Sequence, residues 1–159
     1  MTTNIRRLWP AAIAPAMFAM IALAMSAAHD PAMAFQTENF TVVERATTDT
    51  VTDLGEKGDS VGDILTFTNE IYDEDNEKLI GHDNGWCIRT AAGKAWECFW
   101  TLTLEDGQVT VAGPFYDGAD SVLAVTGGTG RFYGSRGEMK LHARDAQGSA
   151  YDFVYKLTH

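Results

Sequence analysis

The segment AVTGGTGRFYGSRG, residues 124–137, is the stretch that decides the fold of this chain. Glycine occupies five of its fourteen positions, and backbone of this composition must adopt positive φ or pass close to another segment. The spacing after Gly128 does not fit a dinucleotide-binding fingerprint, and the segment lacks the Lys-Ser/Thr end of a P-loop. We therefore predict a long loop between two strands here, and we expect no cofactor.

Short alternating runs of apolar and polar residues, broken by Gly, Asp and Asn, make up the chain on both sides of this segment. This pattern is typical of an antiparallel sandwich or barrel. An even set of meandering strands can close on itself, and about eight strands enclose room for side chains or one small ligand. Periodicity therefore predicts an all-β fold of about eight strands, either a sandwich or a closed barrel. The candidate strands are residues 39–47, 63–72, 79–90, 95–104, 108–115, 120–126, 137–145 and 149–157.

The glycine-rich segment resembles the AVTGGSGxFEGxxGxVKLH stretch of plant allene oxide cyclases and the GGTGxFRxARG stretch of dirigent proteins. Residues 67–73, FTNEIYD, resemble the cyclase FxNxLYD, and residues 120–125, DSVLAV, resemble its EDTYLAV. The resemblance extends over roughly residues 60–157. It implies that the strands close into a single eight-stranded antiparallel up-and-down β-barrel of the calycin-like type that holds one hydrophobic molecule. The resemblance therefore also implies a cyclase, an isomerase or a dirigent-like protein.

The first 34 residues have the composition of a secretory signal peptide. Arg6 and Arg7 precede an uncharged apolar run, and Ala32-Met33-Ala34 forms an A-x-A cleavage site. We predict Sec-dependent export, cleavage after Ala34, a barrel domain over residues 35–159, and a secreted or periplasmic location. The alternative is a retained membrane anchor, since the apolar run is about long enough to span a bilayer.

The interior of the barrel can be assigned from alternation, because successive side chains of a strand point to opposite faces. The more aromatic faces are the candidate interior, and an ordinary packed core is the alternative. The residues predicted to line one enclosed volume and bind the ligand are Leu65, Phe67, Asn69, Trp96, Trp100, Val111 and Phe115.

The resemblance also suggests residues that carry chemistry. Asn69 occupies the place of a cyclase pocket asparagine, and Glu44 that of a glutamate that stabilises positive charge, so both are candidate catalytic residues. Phe115 replaces a pocket tyrosine, which counts against allene oxide cyclisation itself. Arg136 matches a dirigent arginine and is a candidate ligand-binding residue. The alternatives are a solvated Glu44 and an Asn69 satisfied by backbone.

Cys87 and Cys98 are equidistant from a turn at Ala92-Gly93, so they are opposed across a hairpin. In an exported protein such a pair is expected to form a disulfide. A zinc site would need more ligands than this pair, and no His pattern supplies them. We therefore expect no metal.

The formal net charge of −10 disfavours binding of nucleic acid or an anionic membrane. The expected partner is a small hydrophobic molecule that could carry oxygen, and a homo-oligomer is compatible with the sequence. Three functions remain open: a barrel that steers cyclisation or isomerisation by confinement, a non-catalytic or dirigent-like binding barrel, and a stable secreted barrel with a filled core. A cavity of a few hundred Å³ would favour the first two.

Overall fold

A computed structural model describes residues 36–158, and all of the regular secondary structure within them is β-strand. Residues 36–158 include no helix long and apolar enough to cross a membrane. The predicted signal peptide, residues 1–34, lies outside the described residues. The strands are β1 (Thr37–Arg45), β2 (Thr50–Thr52), β3 (Ile64–Tyr72), β4 (Leu79–Ala91), β5 (Ala95–Leu104), β6 (Gly107–Tyr116), β7 (Ser121–Gly130), β8 (Arg136–Ala143) and β9 (Ala150–Thr158).

The strands form one closed antiparallel sheet. Their order is β1-β9-β8-β7-β6-β5-β4-β3-β2, and a further pairing of β1 with β3 closes the ring. Eight strands therefore make the barrel, and the ninth, β2, adds three residues beside β3. The predicted all-β, eight-stranded up-and-down barrel is confirmed.

The wall of the barrel is interrupted between β1 and β2. Residues 43–45 of β1 pair with the end of β3, and residues 50–52 of β2 pair with its beginning. The intervening residues 46–49 make no strand pairing with β3. Their backbone donors need other partners, because an unpaired N–H is costly away from water, and Asn69 supplies an acceptor for two of them.

The glycine-rich segment is not the long loop that we predicted. β7 continues through Gly130 and pairs with β6, so that only residues 131–135 form the turn before β8. Gly128 is required by close approach, because a Cβ there would lie 2.5 Å from the Phe132 carbonyl oxygen and 2.6 Å from that of Gln108. Gly137 has φ +137° and would place a Cβ 2.0 Å from the Lys156 carbonyl oxygen. The glycines thus allow tight strand packing, which composition does not distinguish from a loop.

The core occupies the lumen, as the predicted alternation requires. On β5 the side chains of Trp96, Cys98, Trp100 and Leu102 are buried, whereas Glu97 and Phe99 between them are exposed. The same alternation runs along β3 and β9, where Asn69 and Tyr155 are buried. The inward faces were therefore assigned correctly from sequence periodicity.

Candidate functional site

An inner cavity of about 40 Å³ lies within the lumen, enclosed largely by aromatic and apolar side chains. A volume of this size holds roughly two or three water molecules, far below the few hundred Å³ of a metabolite pocket. Most of the lumen is filled by side chains. The cavity is lined by Glu44, Asp49, Leu65, Phe67, Cys87, Cys98, Trp100, Phe115, Leu141, Tyr151 and Phe153.

A larger vestibule of about 240 Å³ lies at the mouth of the barrel, between the β6–β7 and β8–β9 connections. The vestibule and the inner cavity share three lining residues, Phe115, Leu141 and Tyr151. The rings of Phe115 and Tyr151 meet edge to face, with centroids 5.9 Å apart and planes at 84°. These two rings therefore lie at the boundary between the vestibule and the lumen.

Glu44 brings a carboxyl group to the inner cavity. It lies near the end of β1, its side chain is only 5 % exposed, and it lines the cavity wall. Burial raises the pKa of Glu44 well above its ordinary value of 4.5, and the nearby Asp83 and Asp49 carboxylates raise it further. The Asn69 amide opposes this rise by donating a hydrogen bond. Glu44 is thus disposed to carry a proton rather than a negative charge.

Asn69 bridges the interruption in the barrel wall. Its Oδ1 accepts hydrogen bonds from the backbone N–H groups of Thr47 and Thr48, both at 3.0 Å, and from the Thr48 hydroxyl at 2.9 Å. Its Nδ2 donates to Glu44 Oε1 and Asp49 Oδ1, both at 2.8 Å. The side chain is 1 % exposed and has no amide donor left for a ligand. Backbone N–H groups, the Thr48 hydroxyl and two carboxyl groups therefore satisfy this amide, and its role in ligand binding stays a prediction.

Asp83 is a second buried carboxyl group, and sequence analysis did not identify it. It lies on β4 directly opposite Asn69 of β3, is fully buried, and accepts a 3.2 Å hydrogen bond from the Asn69 backbone N–H at Oδ1. Burial raises its pKa from 3.8 to about 7. The sequence contained a sign of it, because Asp83 precedes the inward Cys87 by four residues and therefore lies on the same face of the strand.

Two further polar groups lie close to the acids Glu44 and Asp83. The Tyr155 hydroxyl and the Trp100 indole nitrogen are buried and make no well-formed hydrogen bond within residues 36–158. Burial raises the pKa of Tyr155, and the Asp83 carboxylate raises it further. The Trp100 N–H lies near enough to the phenol oxygen to oppose that rise. Tyr155 therefore remains a neutral hydroxyl beside the acids.

Acidic groups also surround the boundary between the cavity and the vestibule. Burial raises the pKa of Tyr151 to about 12, and the nearby acidic groups of Glu44 and Asp49 raise it further. At the vestibule, Asp120 contacts His142 Nδ1 at 2.6 Å and Lys140 Nζ at 2.7 Å. Among the ion pairs of the described strands and turns, none includes Glu44, Asp49 or Asp83.

The structure brings together some of the predicted ligand-binding residues and separates others. Leu65, Phe67, Trp100 and Phe115 line the inner cavity with Glu44. Val111 is buried in the core outside that lining. Trp96 packs beneath Arg89, whose guanidinium carbon lies 3.8 Å from the ring centroid.

Arg136 is placed far from the cavity. It begins β8, five residues before the cavity residue Leu141, and its exposed side chain donates to the Ser135 carbonyl at 2.8 Å. A strand rises roughly 3.3 Å per residue, so that the arginine and the cavity lie at opposite ends of β8. Motif matching could not show this, because the match carries no information on which barrel end is open.

Cys87 and Cys98 form a disulfide in the cavity wall. They are direct partners in the pairing of β4 with β5, with Cα atoms 4.0 Å apart. Both are buried and both line the inner cavity. Within residues 36–158, no three His, Cys, Asp or Glu side chains are grouped to hold a metal ion, and the expectation of a metal-free protein stays a prediction.

The sequence profile of the allene oxide cyclase family matches residues 38–146. This chain belongs to that family. Among solved structures, a pyocyanin demethylase superposes with a TM-score of 0.64 at 24 % identity, covering 74 % of this chain and 100 % of its own. The pterocarpan synthase dirigent protein GePTS1 gives 0.62 at 15 % identity, over 79 % of this chain and 88 % of its own.

A further solved structure, the Diels–Alderase AbmU from Streptomyces koyangensis, gives a TM-score of 0.60 at 13 % identity. It covers 80 % of this chain and 69 % of its own. At these identities the likeness establishes the fold. The family assignment and the fold together confirm the resemblance to the cyclase and dirigent-like barrels.

Proposed function

We propose that this chain is a small-molecule barrel enzyme of the cyclase or isomerase kind, which polarises an oxygen of a hydrophobic substrate with Glu44. The observation that carries the proposal is a buried carboxyl group, favouring its protonated form, in the wall of an aromatic cavity. A protonated carboxyl can donate to a carbonyl or epoxide oxygen, and confinement by rings can hold a chain in a reactive conformation.

The proposed substrate enters from the vestibule, because the inner cavity of about 40 Å³ is too small for it. The vestibule offers about 240 Å³. Displacement of the Phe115 and Tyr151 rings would join the two spaces, since both rings line both of them. Glu44, Trp100 and Phe67 would then contact the inner part of the substrate.

The comparisons support a small organic molecule as the ligand, and they do not bear on the proposed cyclisation or isomerisation. A Diels–Alderase, a dirigent protein and a pyocyanin demethylase with this fold are each named for work on small organic molecules. The family is named for a cyclisation. The role proposed for Glu44 differs from the one inferred from sequence, since a protonated acid polarises oxygen and does not neutralise a cation.

A matched pair of probes tests the proposal. We expect 1-acetonaphthone to bind about 2- to 13-fold more tightly than 1-ethylnaphthalene, as one net hydrogen bond of about 0.5–1.5 kcal/mol implies. Glu44→Leu should abolish this preference, and Glu97→Leu, on the outer face of β5, should keep it. Binding is measured by quenching of tryptophan fluorescence, and an equal affinity of the wild type for both probes contradicts the proposal.

A second candidate, a stable barrel with a filled core, is favoured by the small inner cavity. In that case neither probe should quench the buried Trp100, and neither should raise the melting temperature.

A Phe115→Ala variant separates the barrel enzyme from the filled barrel. It should strengthen probe binding if the rings close an entrance, and should only lower stability if they are ordinary core.

A further inference from the structure

We infer that Glu44 and Asp83 form a carboxyl pair that shares a proton, and that Asp83 is a positioning residue that keeps Glu44 protonated. The inference deepens the proposed function and rests on it only for its use in catalysis. The pair itself can be observed in the ligand-free protein.

The strand order brings the two acids together from opposite sides of β3. Glu44 of β1 pairs with Ile71 of β3, whereas Asp83 of β4 pairs with Asn69 on the other edge of that strand. Both side chains are buried within the lumen. Asn69 holds both, since its side-chain amide donates to Glu44 and its backbone N–H donates to Asp83.

A proton is needed to complete the hydrogen bonding of the pair. Glu44 and Asp83 affect each other's pKa and both accept a hydrogen bond from Asn69, and two ionised carboxylates have no hydrogen to share. Asp83 Oδ2 receives no N–H or hydroxyl donor within residues 36–158. A proton between the acids gives that buried oxygen a partner and removes one of two adjacent negative charges.

The surroundings of the pair favour the same state. Asp49 faces Glu44 from the interrupted wall through their common partner Asn69. Tyr151 and Tyr155 face the pair from β9 with neutral hydroxyls. Trp100 approaches from β5 with an uncharged indole, and no ion pair of the described residues brings a cation to these acids.

The pair gives Glu44 a reversible proton. When a substrate oxygen takes the proton, the O–H bond of Glu44 breaks, its electron pair stays on Glu44, and a new O–H bond forms on the substrate. The proton returns to the pair when the product forms, so that no other reactant is needed. Glu44 faces the cavity and Asp83 lies outside its lining, which makes Glu44 the donor and Asp83 its support.

The test follows the titration of each acid by ¹³C NMR of protein labelled at the Asp and Glu carboxyl carbons, without ligand. In Asp83→Asn, the midpoint of Glu44 should fall by about one pH unit or more, because a nearby acid is lost and an amide donor is gained. In Glu44→Leu, the midpoint of Asp83 should instead rise, because Asp83 loses the Glu44 hydrogen bond that lowers its pKa. Asp49→Asn is the matched control and should lower the Glu44 midpoint less.

Unchanged midpoints in both variants would overturn the inference, since burial alone would then hold each proton. If one variant fails to fold, the other still reports the coupling from the opposite acid. A coupled pair in a protein that does not prefer 1-acetonaphthone would refute the proposed function and leave the pair standing. A preference for the ketone without coupling would do the reverse.

Discussion

Glu44 and Asp83 lie inside the barrel, whereas Asp73 and Asp145 lie in the turns that follow β3 and β8. Asp73 accepts backbone N–H groups of Glu77 and Lys78 at 2.8 and 3.2 Å, and Asp145 accepts those of Gln147 and Ser149 at 2.9 and 3.0 Å. Backbone donors lower the pKa of Asp73, and donors from Ser149 lower that of Asp145. The inner acids are shifted the opposite way by burial.

The inner acids and the turn acids show that a carboxyl group can serve two purposes, depending on the hydrogen-bond donors around it. A turn carboxylate satisfies otherwise free N–H groups and is most useful when ionised. A lumen carboxyl is buried, and the described residues give it no cationic partner, so it is most useful when protonated. Chemical reactivity is therefore expected at the buried acids Glu44 and Asp83, and structural support from the turn carboxylates Asp73 and Asp145.

The largest effect is expected from Asn69→Leu, which removes the side chain that bridges the interruption in the barrel wall. The change leaves the Thr47 and Thr48 N–H groups and the Glu44 and Asp49 carboxyls without their partner. An orphaned group that stays buried, as Glu44 does, costs about 1–3 kcal/mol, whereas Thr47, Thr48 and Asp49 are exposed residues whose groups can regain water. We therefore expect a loss of about 2–4 kcal/mol in unfolding free energy. Urea denaturation measures it.

Asn84→Leu is the control for that change, since Asn84 is the next residue after Asp83 on β4 and is exposed. It should change stability little. If Asn69→Leu proved as harmless as Asn84→Leu, the bridge across the barrel wall would be energetically irrelevant. The inner acids would then owe their surroundings to burial and not to Asn69.

The disulfide should have the next largest effect. It closes a short loop between residues 11 apart in sequence, and loop entropy gives roughly 2–3 kcal/mol for a bridge of this kind. Cys87→Ser with Cys98→Ser should lower the unfolding free energy by about that amount while leaving the titration of Asp83, two inward positions along β4, unchanged. A shift of that titration would show that the inner acids depend on covalent closure.

Much of this architecture is readable from sequence, and the reasons are particular. Alternation placed Trp96 and Trp100 inside because strand geometry fixes the side-chain period at two. It could not show that Gly127 to Gly130 extend β7, since tight packing and turns both select glycine. Nor could it show how full the lumen is, because cavity volume depends on how rings from different strands interlock.

The candidate site was predictable only in part, for a related reason. Glu44 and Asn69 came from a resemblance, and their contact with each other depends on the break at residues 46–49. Asp83 shares a face of β4 with the buried Cys87, but no motif marked it. The tertiary pairing of β1, β3 and β4 creates the acid pair, and no single strand contains that information.

The dependence of stability on pH should separate the two groups of acids. Because both inner acids have raised pKa values, the folded protein binds more protons than the unfolded chain. The stabilisation from Asp83 is lost as the pH rises from 3.8 to about 7, and that from Glu44 is lost as the pH rises above 4.5. Glu44→Gln should flatten this decline in melting temperature. Asp145→Asn should instead flatten the decline below the ordinary Asp value of 3.8.

The smallest effect is expected at the vestibule, from Asp120→Asn. Asp120 is bonded to His142 and Lys140, and both contacts lower its pKa, yet all three side chains are well exposed. Exposed ion pairs contribute little because water and salt screen them. We expect no measurable change in melting temperature at neutral pH and unchanged titration of Glu44. A clear loss of stability would show that the vestibule shares the low-polarity environment of the lumen. Asp120 would then belong with the inner acids, and the contrast between inner and surface acids would begin outside the vestibule.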